Sequence, residues 1–191
     1  MHLLFDTETS GLPISAPPGH PNQPRLLQLG AVVLDNDYRV RAELNMMVKW
    51  PAPVDIHPLA LKAHGISYEL TQQFGQAPAV VAEAFEQMVA QTQFQAAFNS
   101  AFDFQIINIF SAQAARPKAA LAQTPFCPMK ALTPVMQLPG KYPGQYKWPS
   151  LQQAHVHCTG REFDGAHDAM ADVRALVEIY KWWRKNNPEM L

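Results

Sequence analysis

The sequence predicts a mixed α/β fold in which helices cover a sheet. Three apolar runs near the amino terminus are separated by a proline-rich loop and by a short polar turn, which is typical of an antiparallel meander. Farther along, a short apolar strand alternates with segments whose apolar residues recur at helical spacing. With 191 residues, of which 48% are hydrophobic, the chain has the size and composition of an ordinary domain. We therefore expect residues 1–191 to form a single domain.

The first three strands are delimited by the turns between them. The first strand begins at Leu3. It is followed by a loop over residues 13–24, which is stiffened by its prolines. The second strand covers residues 26–34. The third covers residues 40–49, after a turn of Asp and Asn residues.

Helices are predicted from the third strand onward. Residues 57–64 form a short helix that Gly65 ends, and Pro78 opens an amphipathic helix. A strand over residues 94–98 then leads into a helix over residues 101–115.

The last third of the chain is predicted to be less regular at first. Residues 124–144 contain five prolines, so we expect irregular structure there apart from a short strand around Phe126. Ser150 has the form of a capping box and opens a helix to about residue 157. Asp168 caps a final helix that runs to about residue 185.

Composition excludes several classes of protein. No apolar run approaches the roughly 20 residues that a membrane span needs, and the amino terminus lacks the basic region of a signal peptide. Cys127 and Cys158 lie too far apart for a zinc motif, so a reduced, cytoplasmic protein is expected. The net charge of −1 argues against a protein that holds nucleic acid by charge alone.

Asp6 and Glu8 stand two residues apart on the first strand, so their side chains point to the same face. Two adjacent carboxylates in a buried setting repel each other, and a divalent cation between them removes that repulsion. The pair therefore suggests a metal site. The alternative is a solvated strand end.

Two later segments carry further acids. Asp103 lies in the first turn of a predicted helix, where it either joins the metal site or only favours the helix start. His167 and Asp172 converge if the histidine sits in the loop before the last helix and the acid in its second turn. Asp172 borders an apolar stripe, and a carboxylate there needs a partner. The alternative for His167 is a loop histidine bonded to nearby backbone.

In this order and on these elements, the motifs resemble those of the DEDDh family of 3′–5′ exonucleases. Its members include the proofreading epsilon subunit of DNA polymerase III, RNase T and oligoribonuclease. The resemblance extends from Leu3 to Trp182 and includes residues 25–31, which are similar to the family's second strand, and His64-Gly65-Ile66. It implies a ribonuclease H-like fold, with a mixed five-stranded sheet (three antiparallel strands, then parallel) flanked by helices.

The resemblance also implies the chemistry of a metal-dependent 3′–5′ exonuclease. Asp6, Glu8, Asp103 and Asp172 would hold two Mg²⁺ or Mn²⁺ ions that clamp the phosphodiester and activate the attacking water. Four carboxylates and two dications balance in charge. His167 would take the proton from that water as general base.

Contacts to the substrate are implied for four more residues. Leu12 would wedge against the terminal base, His64 and Phe102 would line the nucleotide pocket, and Asn99 would orient the strand. Plain core packing is the alternative for Leu12 and Phe102. Phe98 stands where the family often has histidine, a departure that leaves the four acids unaffected.

Single-stranded or frayed DNA with a free 3′ end is the expected partner. Two alternatives stay open: an exoribonuclease on the same fold, which a contact to the 2′-OH would decide, and a retired nuclease that only binds nucleic acid. The complete set of acids argues against retirement, because unpaired carboxylates are costly to keep without metal.

Other features leave the partners open. No polymerase-binding tail is recognisable, and the Trp182–Trp183 pair suggests either a homo-oligomer or packing at a helix end. Four cations precede the last motif, where they contact phosphates or face solvent: Lys130, Lys141, Lys147 and Arg161.

Overall fold

The structure is a computed structural model that describes residues 1–116, 121 and 125–189. Four strands are formed: β1 (His2–Thr9), β2 (Leu26–Leu34), β3 (Val40–Met47) and β4 (Phe94–Ala96). Seven helices are described: α1 (Pro58–His64), α2 (Tyr68–Phe74), α3 (Pro78–Ala90), α4 (Ser100–Gln113), α5 (Pro128–Met136), α6 (Leu151–Thr159) and α7 (Ala169–Asn186).

The four strands form one mixed sheet in the order β3-β2-β1-β4. The predicted meander is confirmed, since β1 pairs antiparallel with β2 and β2 with β3, while β4 pairs parallel with β1. The prediction of a fifth strand is wrong for the described residues. Near Phe126 there is a single parallel bridge to Ala96, in which the Phe126 N–H donates to the carbonyl of Gln95 at 3.0 Å.

Helices cover both faces of this sheet. Leu3 and Phe5 of β1 point to one face, where they pack with residues of α3 and α4, and Leu4 points to the other face, where α7 lies. All nine residues of β2 are buried for the same reason. The mixed α/β prediction is thus confirmed, and β1 is a central strand buried on both sides.

Two helices were not expected. Helix α2 follows Ser67, whose hydroxyl accepts a hydrogen bond from the Leu70 N–H at 3.2 Å. Helix α5 lies within the segment predicted to be irregular. Pro128 occupies its first turn, where the missing N–H costs nothing, and Pro134 comes in its last turn. The prolines of this segment therefore mark the ends of a helix rather than an irregular segment.

A close approach of two elements sets the position of α7. A Cβ atom at Gly30 would lie 2.5 Å from the carbonyl oxygen of Ala169, so only glycine lets the start of α7 reach strand β2 at this depth. Gly30 pairs with Asp6 in the sheet register. The contact therefore brings the first turns of α7 beside the acidic end of β1.

The end of α7 packs against its own chain. Trp183 is buried with its ring centre 5.7 Å from that of Phe126, and the half-buried Trp182 lies 5.6 Å from His157. Packing, rather than exposure, thus describes the tryptophan pair. No helix in the described part of the chain has both the length and the apolar character that crossing a membrane requires. Cys127 and Cys158 are both free thiols.

Candidate active site

Carboxylates from both faces of the sheet meet at the carboxyl end of β1. Asp6 and Glu8 follow Leu4 on the face toward α7, while the intervening Thr7 points to the opposite face. There the Thr7 hydroxyl donates a hydrogen bond of 2.8 Å to Oδ1 of Asp103, in the first turn of α4. Thr7 thereby fixes the orientation of a carboxylate that is only 3% exposed.

Helix α7 is held at this site by Gln28, which is buried in β2. Its Nε2 donates to Oδ2 of Asp168 at 2.8 Å, and its Oε1 accepts from the N–H of Ala169 at 3.2 Å. Oδ1 of Asp168 caps the helix by accepting from the N–H groups of Met170 and Ala171. These bonds fix the first turn of α7, and so the position of Asp172.

His167 lies in the loop before α7 and folds back over the acids. Gly165 and His167 both have left-handed backbone, with φ of 80° and 69°. The His167 N–H donates to Oδ2 of Asp172 at 3.2 Å. Ligand atoms of Glu8, His167 and Asp172 all lie within 4.8 Å of one another, so these three side chains could hold a metal ion.

Burial raises the pKa values of all four acids, and the charges of neighbouring carboxylates add to the shift. Burial, followed by the charges of neighbouring carboxylates, raises the pKa of Glu8 to about 8 and that of Asp6 well above its ordinary value. Burial is also the largest cause for Asp103, whose pKa rises to about 7 although the Thr7 hydroxyl opposes the shift. For Asp172, burial raises the pKa to about 6, against the hydrogen bond from His167.

The charges of the four acids are not offset by a lysine or an arginine in the part of the chain that the structure describes. Within the described ranges, no lysine or arginine forms an ion pair with Asp6, Glu8, Asp103 or Asp172. Oδ1 of Asp172 is buried and accepts no hydrogen bond from any described residue. A cluster of carboxylate oxygens with an orphaned buried acceptor suits a hard divalent cation, so the residues present fit the expected metal.

An open cleft of about 560 Å³ adjoins the acids. Leu12 lines it and is 78% exposed, which excludes core packing for this residue. Phe102 is half-buried, so it contacts the core and lines the cleft as well. These residues, with His64 and Glu8, form a pocket beside the carboxylates.

His64 also has a structural role. Its Nδ1 accepts from the N–H of Ile66 at 2.9 Å, so its Nε2 carries the proton and donates to the carbonyl of Thr9 at 3.1 Å. Burial is the main reason why its pKa is lowered, and the charge of His167 adds to this effect. A neutral His64 thus ties α1 to the end of β1.

The remaining sequence-predicted residues divide into exposed and buried groups. Asn99 is exposed at the start of α4 and makes no capping bond with its side chain. Phe98 is buried in the same apolar cluster as Leu132, away from the cleft. Arg161 pairs with Glu178. The three lysines of the same group face solvent: Lys130, Lys141 and Lys147.

Sequence reasoning missed the residues that position the acids. Thr7 and Gln28 are polar residues within apolar, buried strands, and that mismatch is the signal that could have found them. Gly30 gave no such signal, because its role depends on the approach of a helix about 140 residues farther along the chain.

The fold resembles solved structures of exonuclease I from E. coli. The complex with a dT13 oligonucleotide is 23% identical, with a TM-score of 0.77 over 99% of this chain and 42% of that chain. The zinc-bound form of the complex with single-stranded DNA is 24% identical, with a TM-score of 0.73 over 98% of this chain and 41% of that chain. At these identities the likeness shows the fold, and the chain spans about two-fifths of the length of those proteins.

Comparison with curated protein sequences gave no significant match. A family model described as Exonuclease, of the RNase T type, matches residues 3–180, which is most of the chain. Membership of this family implies dependence on divalent metal, in agreement with the acidic cluster and His167. The chain therefore belongs to the exonuclease family, in its DEDDh group of 3′–5′ exonucleases.

Proposed function

We propose that this protein is a metal-dependent 3′–5′ exonuclease that releases nucleoside 5′-monophosphates from single-stranded or frayed DNA. The observation that carries the proposal is a set of four carboxylates, without a cationic partner in the described residues, beside an open cleft. Structural acids are normally paired, so unpaired buried acids indicate a functional site. Family membership supports the same activity.

Two divalent ions, Mg²⁺ or Mn²⁺, are proposed as the cofactor. Asp6, Glu8, Asp103 and Asp172 would hold them, with the orphaned Oδ1 of Asp172 as one ligand atom. Bound there, the ions would supply an activated water and would stabilise the charge on the leaving 3′ oxygen. Their charge would also relieve the repulsion that raises the pKa values of the acids.

His167 is proposed to be the general base. Its side chain is exposed at the mouth of the site, and its ring lies next to Glu8 and Asp172. The hydrogen bond from its backbone N–H to Asp172 holds the loop beside the acids, and a ring nitrogen would accept the proton of the attacking water. Thr7 supports the reaction indirectly, by orienting Asp103.

The cleft is proposed to hold the terminal nucleotide. The exposed Leu12 would lie against the last base, and the ring of Phe102 offers it an apolar surface. Asn99, exposed at the start of α4, would orient the strand. His64 would shape the pocket while keeping its own hydrogen bonds.

DNA is favoured over RNA because the similar exonuclease I structures contain DNA oligonucleotides. An exoribonuclease on the same fold is the second candidate, and substrate preference decides between them. A cytoplasmic location and a homo-oligomer stay predictions.

The test is degradation of matched DNA and RNA oligonucleotides, labelled at the 3′ or the 5′ end, with Mg²⁺, Mn²⁺ or EDTA. We expect shortening from the 3′ end that needs metal, is faster on DNA and is absent in Asp6→Ala. Faster shortening of RNA would support the second candidate. No cleavage with either metal would contradict the proposal and leave a nucleic-acid-binding module.

A further inference from the structure

A second cavity adjoins the nucleotide cleft on the other side of Leu12. Its volume is about 530 Å³, close to that of the cleft. The two share Gly11, Leu12 and His57, so the exposed leucine stands between them. The far wall of the second cavity comes from the loop before β2 and from the segment before α1, through residues 21–25 and 53–55.

Hydrogen bonds hold the loop wall of this cavity in place. Gln23 is only 4% exposed, and its Nε2 donates to the carbonyls of Ile14 at 3.1 Å and Ala16 at 2.8 Å. Its Oε1 accepts from the N–H of Ile14 at 3.1 Å. The loop wall of the cavity is therefore held in a defined conformation by a buried side chain.

Arg25 is the notable cation in this cavity. Its half-buried guanidinium lies 4.8 Å from the ring centre of Trp50, whose Nε1–H donates to the carbonyl of Leu26 at 2.8 Å. The backbone N–H of Arg25 donates to the hydroxyl of Ser10 at 2.9 Å, and the carbonyl of Arg25 accepts from the N–H of Ser10 at 2.9 Å. The position of Arg25 is thus fixed by a buried, hydrogen-bonded indole and by the end of β1.

The guanidinium of Arg25 is not paired with an acid in the described ranges of the chain. Among the residues that the structure describes, it forms neither an ion pair nor a hydrogen bond, although Asp55 lines the same cavity. Arginine presents planar donors that match phosphate oxygens, and a preorganised guanidinium loses little freedom on binding. A fixed, unpaired arginine beside a nucleotide cleft is therefore suited to a phosphate group.

We propose that Arg25 contacts the phosphate on the 5′ side of the second nucleotide from the 3′ end. The inference rests on the proposed function, because it takes the terminal nucleotide to occupy the cleft. With Leu12 between the cavities, two successive bases lie on its two sides. The scissile phosphate would stay at the acids, and the next phosphate would lie on the side of Leu12 on which Arg25 lines the second cavity.

The experiment uses oligonucleotides in which one linkage is an uncharged methylphosphonate. In one substrate it replaces the second linkage from the 3′ end, and in the control it replaces the fifth. For the wild type, the second-linkage substitution should raise KM about tenfold, the scale of one hydrogen bond to a charged group, with little change in kcat. The fifth-linkage control should behave as the unmodified strand does.

The matching variant is Arg25→Gln. It should raise KM on the unmodified strand by a similar factor and show no further loss on the second-linkage substrate, since the contact is already gone. Arg25→Lys keeps the charge and should recover part of the effect. Arg174→Gln, which removes an exposed arginine paired with Glu43, is the control for net charge.

Equilibrium binding of the same strands in EDTA, measured by fluorescence anisotropy, tests the contact without catalysis. Arg25→Gln should lower the salt dependence of binding by about 0.7 in log–log slope, the contribution of one phosphate. Equal losses in Arg25→Gln on the unmodified and second-linkage strands would overturn the inference. A wild type that binds with this pattern but never shortens DNA would overturn the proposed activity alone.

Discussion

The two ends of strand β1 bury titratable groups in opposite ways. At the amino end, His2 is 5% exposed, stacks on Phe94 and lies with its Nδ1 2.8 Å from the hydroxyl of Tyr180. Burial lowers the pKa of His2 to about 4, so it is neutral and has a partner. At the carboxyl end, burial raises the pKa values of Asp6 and Glu8, which have no such partner among the described residues.

This difference separates structural from functional burial. A neutral, hydrogen-bonded histidine is a stable part of a core. Clustered carboxylates are stable only when they are protonated or when a cation binds between them. A fold that keeps such a cluster loses stability in the absence of metal and gains a metal-binding site. The carboxyl end of β1 is therefore where chemistry is expected, and the amino end is where the sheet is anchored.

The most severe test of this contrast is Asp6→Asn. Hydrolysis should fall to the level of the control without enzyme, because a metal ligand is lost. The metal-free variant should nevertheless be at least as stable as the wild type at pH 8, because the amide removes the cost of burying an ionisable carboxyl among other acids. Cleavage of 3′-labelled DNA and unfolding in urea check the two halves.

Glu43→Gln is the matched control, since Glu43 lies on β3 and pairs with Arg174 away from the site. It should keep full activity. An Asp6→Asn protein that loses both activity and stability would show that Asp6 has a mainly structural role.

His167→Ala tests the proposed base. We expect a loss on the order of 10²–10⁴ in kcat, the usual contribution of a positioned acid or base. His157→Ala, at an exposed histidine on α6, is the control and should change little. Near-normal kcat in His167→Ala would assign the proton transfer to another group.

Gly30→Ala tests how the acids are brought together. The added Cβ would lie 2.5 Å from the carbonyl oxygen of Ala169, so α7 must shift. We expect a loss of roughly 1–3 kcal/mol in the free energy of unfolding, as for other overpacked sites, together with weaker activity. Gly19→Ala is the control, because a Cβ there meets nothing within 4 Å. Equal urea midpoints for the two variants would show that α7 tolerates the displacement.

The pH dependence of stability should also differ between the two ends of β1. The folded, metal-free protein retains a proton on Glu8 up to about pH 8, while the unfolded chain releases it near pH 4.5. The folded state thus binds more protons, and stability should fall as the pH rises across this window. Urea unfolding in EDTA should show the fall between pH 6.5 and 8, and Glu8→Gln should reduce it.

His2 contributes to the pH dependence of stability with the opposite sign. Its folded pKa of about 4 lies below the ordinary 6.5, so stability should be lost as the pH falls between these values. His2→Asn should remove this acid-side loss and leave the fall above pH 6.5 unchanged. A stability that is flat from pH 6.5 to 8 in EDTA would contradict the raised pKa values at the acidic end.

The sequence predicted those features of the fold and the site that depend on patterns between residues close together in the chain. Strand alternation placed Asp6 and Glu8 on one face, and a capping residue placed the start of α7 at Asp168. The bond between Gln28 and Asp168 joins residues 140 apart, so no local pattern could show it. Helix α5 was missed because its prolines look like breaks when their positions within a helix are unknown.

The most direct test of the central claim is the melting temperature with and without Mn²⁺ at pH 8, for the wild type and for Asp6→Asn. At a metal concentration of 100 Kd, one bound ion adds about 2.7 kcal/mol, which corresponds to roughly 5–10 °C for a protein of this size. We predict such a rise for the wild type and a much smaller one for Asp6→Asn. An equal melting temperature of the wild type with and without Mn²⁺ would contradict a metal site at the carboxyl end of β1.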